Sequence, residues 1–178
     1  MKSKMNAAML TKLAMMTAIS IVLLVIIRIP FPPAPFLVFD PADMPIYITA
    51  FAYGPVAGLL VTFIVSLIQA FALGGDGLYG FLMHFVATGI VTVVIGMMYK
   101  HNKTKKQAIK ALVVGVVVTV LVMSGMNLLI TPLYMGVDVK TVIVMLPSVI
   151  IPFNLLKAGI NSLLTFVLYK RISGFLHR

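Results

Sequence analysis

The sequence predicts an all-α membrane protein: a six-transmembrane-helix bundle in which a re-entrant-like, proline-rich lid loop joins the first two helices. Of its 178 residues, 61% are hydrophobic and only 10% are charged, and the mean hydropathy is +1.13. A soluble domain is about half apolar and about a quarter charged. We therefore expect residues 1–178 to form a single integral membrane domain in contact with the lipid bilayer.

Proline, glycine and charged residues divide the apolar runs into helices. The Tyr-Gly-Pro segment at 53–55 breaks an uncharged run over 44–75 that is too long for one span, since about 20 residues cross a bilayer. Pro132 is expected to end the fifth helix, and the connector over 133–146 has room for a short helix. The predicted helices cover 7–29, 44–53, 55–73, 79–99, 107–131 and 150–170.

The segment 30–45 contains six prolines interleaved with phenylalanines. Proline fixes φ and removes a backbone donor, so we expect a stiff, non-helical segment. Its apolar content fits a lid packed over a cavity, and it fits equally a loop lying in the membrane interface. Near its end, Asp40 is expected to cap the second helix, with Pro41 as the first helical residue and Asp43 in the first turn.

The charges are distributed unevenly between the two sides of the membrane. Six spans place both termini on one side with eleven of the fourteen Lys and Arg residues, whereas all four aspartates fall on the opposite side. Because Lys and Arg favour the cytoplasmic side, this pattern predicts a multi-pass cell-membrane protein with cytoplasmic termini. The net charge of +10 is thus explained without a nucleic-acid partner. The eleven residues are Lys2, Lys4, Lys12, Lys100, Lys103, Lys105, Lys106, Lys110, Lys170, Arg171 and Arg178.

A lysine and two asparagines lie on one face of the sixth predicted helix. Spacings of three and four place Asn154, Lys157 and Asn161 together. A charged side chain at bilayer depth costs about 2.5–3.5 kcal/mol on the milder insertion scale, and it normally faces the bundle interior at a binding site or pathway. The alternative is that Lys157 extends its ammonium group to the near interface, but this explains neither asparagine.

Amide side chains also lie on other predicted helices. Asn127 is flanked by hydroxyl groups on one face of the fifth helix, and Gln69 lies on the third. Ser and Thr often bond to their own helix in membranes, so the amides are the stronger candidates. Both lie in the outer half of the membrane, as Asn154 does, and with Lys157 they are expected to line one cavity open to the outside.

Catalytic motifs are weak in this sequence. No GxxxxGK[ST] phosphate loop is present, so we do not expect ATP hydrolysis by that route. Asp40 and Asp43 alone are too few for the Mg²⁺ cluster of a membrane phosphatidyltransferase. Ser124 with His84 matches an intramembrane serine protease only weakly. His84 has no second His or nearby acid in the sequence for a metal site, so we predict an interhelical hydrogen bond for it, and a non-enzyme without cofactor or metal ion.

Four short motifs follow one another along nearly the whole chain. They are Phe39-Asp-Pro-Ala-Asp-Met-Pro45, Tyr53-Gly-Pro-Val-Ala-Gly58, Ser124-Gly-Met-Asn127 with Pro132-Leu-Tyr134, and Pro152-Phe-Asn-Leu-Leu-Lys157. In this combination the chain resembles the riboflavin-specific substrate-binding (S) components of energy-coupling factor (ECF) vitamin transporters. One position departs from the pattern, since Val65 stands where some relatives carry a basic residue midway along the third helix.

The resemblance implies an outward-facing flavin pocket capped by the loop between the first two helices. It implies that Asn127, Asn154 and Lys157 contact the ligand and that the region Phe36–Asp40 gates it. Riboflavin is then the transported ligand, and the partners are a transmembrane coupling protein and two cytoplasmic ATPases. The candidate substrate-binding residues are Phe36, Phe39, Asp40, Gln69, Asn127, Tyr134, Asn154 and Lys157.

The first predicted helix carries a small-xxx-small pattern. Ala14 and Ala18 lie one turn apart, and Ala7 and Thr11 extend the same face. Small residues let helices approach closely in lipid, where packing drives association. S components of the resembled family dock through helix 1, so Ala14 and Ala18 are expected to bind the coupling protein. Packing inside the bundle is the alternative.

Alternatives of two kinds stay open. An S component for another vitamin or for a flavin nucleotide (FMN) shares the same motifs. An intramembrane enzyme, or a structural or assembly protein, belongs to a different class. A flavin chromophore bound to the purified protein distinguishes transport from the second kind.

The charge distribution predicts which loops an impermeant thiol reagent reaches. The chain contains no cysteine, so Lys103→Cys and Asp76→Cys each introduce a single one. In intact cells we expect labelling at position 76 and none at position 103, because the 100–110 loop is expected in the cytoplasm. Labelling at 103 but not at 76 would refute this orientation.

Overall fold

The computed structural model describes residues 7–74 and 76–176, with side chains described as far as Arg171. Lys2, Lys4, Gly75 and Arg178, which entered the helix and charge predictions, lie outside the described residues. The elements in chain order are α1 (Ala7–Ile26), β1 (Ile29–Phe31), β2 (Ala34–Phe39), α2 (Asp43–Tyr53), α3 (Pro55–Ala72), α4 (Gly77–His101), α5 (Lys105–Met135), α6 (Val139–Met145), a π-helical turn (Leu146–Ile150) and α7 (Ile151–Leu176).

Long apolar helices form the bundle, as predicted. Five segments of the described chain are long and apolar enough to cross a membrane, and the last of them, Val139–Arg171, joins α6, the π-helical turn and most of α7. α2 has 11 residues, and at 1.5 Å per residue its length of about 16 Å is roughly half the hydrocarbon core. It packs against α1, α3, α4 and α7. The predicted six-helix bundle is confirmed, with α2 as its short, buried member.

The helices α2, α3 and α4 approach one another closely at a glycine. A Cβ atom at Gly58 would lie 2.5 Å from Thr92 Cγ2 and 2.9 Å from Ala50 Cβ. Real Cβ atoms do not come so close to their neighbours, because packed interiors leave no such overlap. The missing side chain therefore lets α2 sit against two spanning helices at once.

The proline-rich segment forms a β-hairpin, which was not predicted. Its strands pair antiparallel, with Ile29 opposite Phe39 and Pro30 opposite Val38. Both strands of a two-stranded sheet are edges, and proline is tolerated on edge strands because its missing N–H is not needed by a second neighbour. The expectation of a non-helical segment is confirmed, and regular strand pairing is the addition.

The hairpin packs on the bundle. Ala34 and Leu37 of β2 are buried in a cluster with Phe153 of α7. Phe31 of β1 lies against Phe153, with ring centroids 5.5 Å apart. These contacts hold the hairpin against the bundle, as expected for a lid packed over a cavity. We therefore describe the hairpin as the lid.

Asp40 does not cap α2, contrary to the prediction. The helix begins at Asp43, and Asp40 Oδ1 instead accepts a hydrogen bond from the Ala42 backbone N–H at 3.2 Å. The second carboxylate oxygen of Asp40 contacts Lys157 of α7. This pairing across the bundle holds Asp40 away from the helix start, and nothing in the local sequence indicates it.

α5 continues through Pro132, which was wrongly predicted to end it. The helix runs to Met135, and Gly136 follows with a φ of 65°, the left-handed conformation that commonly terminates helices. Membrane helices tolerate proline because neighbouring groups satisfy the carbonyls that it leaves free. The additional residues carry Tyr134 on the helix to the cavity described below.

Candidate ligand-binding site

A cavity of about 350 Å³ lies beneath the lid. Its wall includes residues of β2 and of the helices α1, α2, α3, α4, α5 and α7. Leu24, Met83, Met123 and Phe153 contribute apolar surface, and carboxylate, amide and ammonium groups are set among such side chains. A volume of about 300–1,000 Å³ and a mainly apolar wall with a few polar groups are typical of small-molecule sites.

Most of the predicted site residues meet at this cavity. Phe39 lies outside the wall and packs against the cluster that contains Leu37 and Phe153. Phe36 and Phe39 are three residues apart on β2, so their side chains point to opposite faces of the strand. Ligand contact by the eight residues stays a prediction. The seven that line the cavity are Phe36, Asp40, Gln69, Asn127, Tyr134, Asn154 and Lys157.

Lys157 forms an ion pair with Asp40. Its Nζ lies 2.8 Å from Asp40 Oδ2 and 3.5 Å from the Val38 carbonyl oxygen. The two side chains are 16% and 4% exposed. The ammonium group therefore faces the lid and the interior of the bundle, and the alternative that it extends to the interface is wrong. A buried charge persists when it is paired and hydrogen-bonded.

Asn161, one turn further along α7, also hydrogen-bonds to the backbone of Asp40. Its Nδ2 donates to the backbone carbonyl of Asp40 at 3.0 Å and to that of Lys157 at 3.1 Å. Asn161 is fully buried and is not part of the cavity wall. Of the three polar residues on this face of α7, Asn154 and Lys157 therefore reach the cavity, while Asn161 holds the end of the lid.

The cavity amides are bound to their own helices through nitrogen. Asn127 Nδ2 donates to the Met123 carbonyl and Asn154 Nδ2 to the Ile150 carbonyl, each at 2.8 Å. Asn127 Oδ1 accepts the Thr131 hydroxyl at 2.9 Å. Among the described residues, Asn154 Oδ1 has no hydrogen-bond partner. These side chains thus present oxygen atoms, which accept hydrogen bonds, to the cavity.

Two contacts tie the rim of the cavity together. The Tyr134 hydroxyl donates to Asp76 Oδ1 at 2.7 Å, which joins the end of α5 to the turn before α4. An Arg28 guanidinium nitrogen donates to the Leu73 carbonyl at 3.2 Å, which joins the start of the lid to the end of α3. The predicted site residue Tyr134 is therefore a rim residue that already has a protein partner.

A second polar cluster lies on the wall, and its acid was missed from the sequence. His84 Nε2 lies 3.0 Å from Asp43 Oδ1, which also accepts the Thr88 hydroxyl at 3.3 Å. His84 Nδ1 lies 2.7 Å from Ser66 Oγ. The predicted interhelical hydrogen bond of His84 is confirmed, but the prediction that no acid lies near His84 is wrong. Asp43 is 41 residues away in the chain, and no sequence spacing indicates that contact.

The order aspartate, histidine, serine is that of a hydrolase triad, but this serine is not available to a substrate. Ser66 is fully buried, and its Oγ also lies 2.7 Å from the Thr62 carbonyl oxygen. The other serine considered, Ser124, donates to the Val120 carbonyl of its own helix. In residues 7–74 and 76–176, no three His, Cys, Asp or Glu side chains cluster to hold a metal ion.

The fold and the cavity define a class: a multi-pass membrane protein with a cavity between its helices and a lid. The family model of the ECF transporter, substrate-specific component, matches residues 8–169. The chain belongs to this family.

Named relatives match almost the whole chain. The riboflavin transporter RibU of Staphylococcus aureus (strain TCH60) is 32% identical over 95% of this chain and 92% of its own. The riboflavin transporter FmnP of Bacillus subtilis (strain 168) is 25% identical over 98% and 96%. A solved structure of the S component of a bacterial ECF transporter superposes with a TM-score of 0.81 at 31% identity, covering 95% of this chain and 97% of that one.

The ion pair predicts an asymmetry between single and double substitutions. Lys157→Met leaves the Asp40 carboxylate buried without its cation, which is expected to lower the free energy of unfolding by about 3–5 kcal/mol. Combining Asp40→Asn with Lys157→Met removes both charges, so most of that loss should be recovered. Thermal unfolding of the detergent-solubilised protein measures both. A single variant as stable as the double one would contradict a buried pair.

Proposed function

We propose that this protein is the S component of an ECF transporter that captures riboflavin outside the cell membrane for delivery to the cytoplasm. The observation that carries the proposal is the cavity beneath the lid on which Asn127, Asn154 and Lys157 meet, in a chain whose relatives along almost its full length are named riboflavin transporters. Those names favour riboflavin over another vitamin.

The chemistry of the wall suits a flavin. Riboflavin combines a flat apolar ring system, a hydrogen-bonding edge and a hydroxylated tail. Met83, Met123 and Phe153 offer apolar surface to the rings. The oxygen atoms of Asn127 and Asn154 accept hydrogen bonds from an imide N–H or from hydroxyl groups. In a low-dielectric cavity each such bond is stronger than in water.

The lid is the proposed gate over this ligand. Phe36 lies on the cavity wall, and Asp40, at the end of the lid, is held by Lys157 at 2.8 Å. Lys157 lines the cavity and also pairs with Asp40 at the end of the lid. Because one ammonium group makes both contacts, the position of the lid is linked to the ligand-binding site. The proposed gating region therefore extends from Phe36 to Asp40.

Energy for transport is proposed to come from partners, namely a transmembrane coupling protein and two cytoplasmic ATPases. α1 has one face in the bundle and another exposed, and Ala14 and Ala18 lie on the exposed face with Ala7 and Thr11. This exposure favours docking on a partner helix over packing within the chain, since small residues let helices approach closely. We further propose that the termini face the cytoplasm.

Riboflavin binding tests the function. Riboflavin fluorescence should be quenched by the purified protein at micromolar concentrations. Asn127→Ala and Asn154→Ala should each weaken binding about 5- to 150-fold, because removing one partner of a buried hydrogen bond costs about 1–3 kcal/mol. Lys140→Ala, in α6 and outside the cavity wall, is the control and should bind as the wild type does. Wild-type protein that leaves the fluorescence unchanged would refute the proposal.

Docking through α1 is tested by enlarging the small residues. Ala14→Leu with Ala18→Leu should abolish co-purification with the coupling protein and riboflavin uptake, because the two helices can no longer approach closely. Riboflavin binding by the isolated protein should be unchanged. Ala8→Leu adds the same bulk at another exposed position of α1 and should leave co-purification intact. Loss of riboflavin binding in the double variant would assign this face to the fold.

A further inference from the structure

Asp43 is a buried carboxylate with one oxygen that the protein leaves unused. Asp43 Oδ1 accepts from Thr88 and contacts His84, whereas Oδ2 has no hydrogen-bond partner among the described residues. The residue is 5% exposed and lines the cavity together with His84 and Thr88. Oδ2 is not one of the fully buried unpaired atoms of the described residues, which are Gln69 Oε1 and Asn161 Oδ1. It is therefore reached from the cavity and can accept a donor that arrives with the ligand.

A carboxylate oxygen selects a particular kind of ligand group. It accepts hydrogen bonds and donates none, and bonds to an ionised acceptor are about twice as strong as neutral ones. Hydroxyl groups meet this requirement, and the Thr88 hydroxyl already makes such a bond to the same carboxylate. The cluster is therefore complementary to the hydroxylated tail of a flavin.

The charge of the wall depends on whether the His84 ring carries one proton or two. Ser66 Oγ lies 2.7 Å from both the Thr62 carbonyl oxygen and His84 Nδ1. When Ser66 donates to His84, the ring is neutral and its Nε2–H donates to Asp43. When Ser66 donates to Thr62, both ring nitrogens must donate and the ring is positively charged.

In neither state does the cavity have an excess of positive charge. Among the described residues, three carboxylates and two cations line it, so the formal charge is −1 with a neutral histidine and zero with a charged one. Of the cations, Lys157 is already paired with Asp40. A phosphate ester carries about −1.5 to −2 at neutral pH, and sites that hold one supply arginine or lysine in excess. The residues counted are Asp40, Asp43, Asp76, Arg28 and Lys157.

We propose that Asp43, positioned by His84, is a specificity-determining residue that binds the hydroxylated tail of riboflavin and rejects its 5′-phosphate, FMN. The inference rests on the proposed function, because it assigns a part of riboflavin to a part of the cavity. Asp43 is also the first residue of α2, so its own carboxylate lies at the helix N-terminus, where a phosphate group would otherwise be favoured.

Three flavins separate the parts of this proposal. Riboflavin has the tail, lumiflavin lacks it, and FMN ends it in a phosphate. We expect the wild-type protein to bind riboflavin at least about tenfold more tightly than FMN, because one unit charge about 7 Å away at an effective dielectric constant of about 20 already changes affinity by tenfold to a hundredfold. Fluorescence quenching of each flavin by the purified protein gives the dissociation constants.

Asp43→Asn removes the charge and keeps the shape. It should weaken riboflavin binding about 5- to 150-fold, leave lumiflavin binding unchanged and lower the preference for riboflavin over FMN by about tenfold or more. Unchanged lumiflavin binding verifies that the cavity is intact. Asp138→Asn removes the same charge from the one aspartate outside the cavity wall and should leave all three affinities as they are.

The outcomes distinguish this inference from the function on which it rests. Wild-type protein that binds riboflavin but prefers FMN, or binds both equally, overturns the inference alone and needs no variant. An Asp43→Asn protein that keeps the wild-type preference, or that loses lumiflavin and riboflavin binding equally, also overturns it. Wild-type protein that binds none of the three flavins overturns the proposed function as well.

Discussion

The ion pair between Lys157 and Asp40 is the constraint on which the rest of this structure depends. A lysine in the middle of a spanning helix must be compensated, because an unpaired charge is costly at that depth. Here the compensating carboxylate comes from the chain between lid and α2, 117 residues earlier. That chain therefore has to enter the helix bundle to reach α7. Because the pair draws the end of the lid into the bundle, the lid covers the cavity, α2 starts inside the bundle and is short, and Asp43 is buried.

The short α2 is the first consequence. Because the chain leaves the lid already inside the bundle, α2 needs only 11 residues to reach the turn at Gly54. Its residues are almost all buried, and Gly58 leaves space for it against α3 and α4. The two aspartates near its start then make different contacts. Asp40 pairs with Lys157 at the end of the lid, and Asp43 contacts His84 on the cavity wall.

Features that depend on local chemistry could be predicted from the sequence, and features that depend on distant partners could not. The cost of burying Lys157 marks its helix face as functional, and Gly54–Pro55 breaks the long apolar run, so the helices follow from the residues alone. Seven of the eight predicted site residues line the cavity, but most of its wall was not predicted. The Asp43–His84 contact joins positions 41 residues apart. The hairpin was not predicted, and the end of α5 was predicted wrongly, for a related reason: tertiary contacts determine the conformation of segments that contain proline.

The unpaired atoms explain what kind of ligand such a cavity can hold. A polar group in a membrane interior is tolerated when the protein satisfies it, and Asn127 and Asn154 accordingly donate to their own helices. In the described residues the buried unpaired atoms are the oxygens Gln69 Oε1 and Asn161 Oδ1. On the cavity wall, Asn154 Oδ1 and Asp43 Oδ2 also have no hydrogen-bond partner among these residues. Unpaired acceptor oxygens are complementary to a ligand that provides hydrogen-bond donors. An imide N–H and a hydroxylated tail bring them, whereas a terminal phosphate brings further acceptors and negative charge to a wall that already has both.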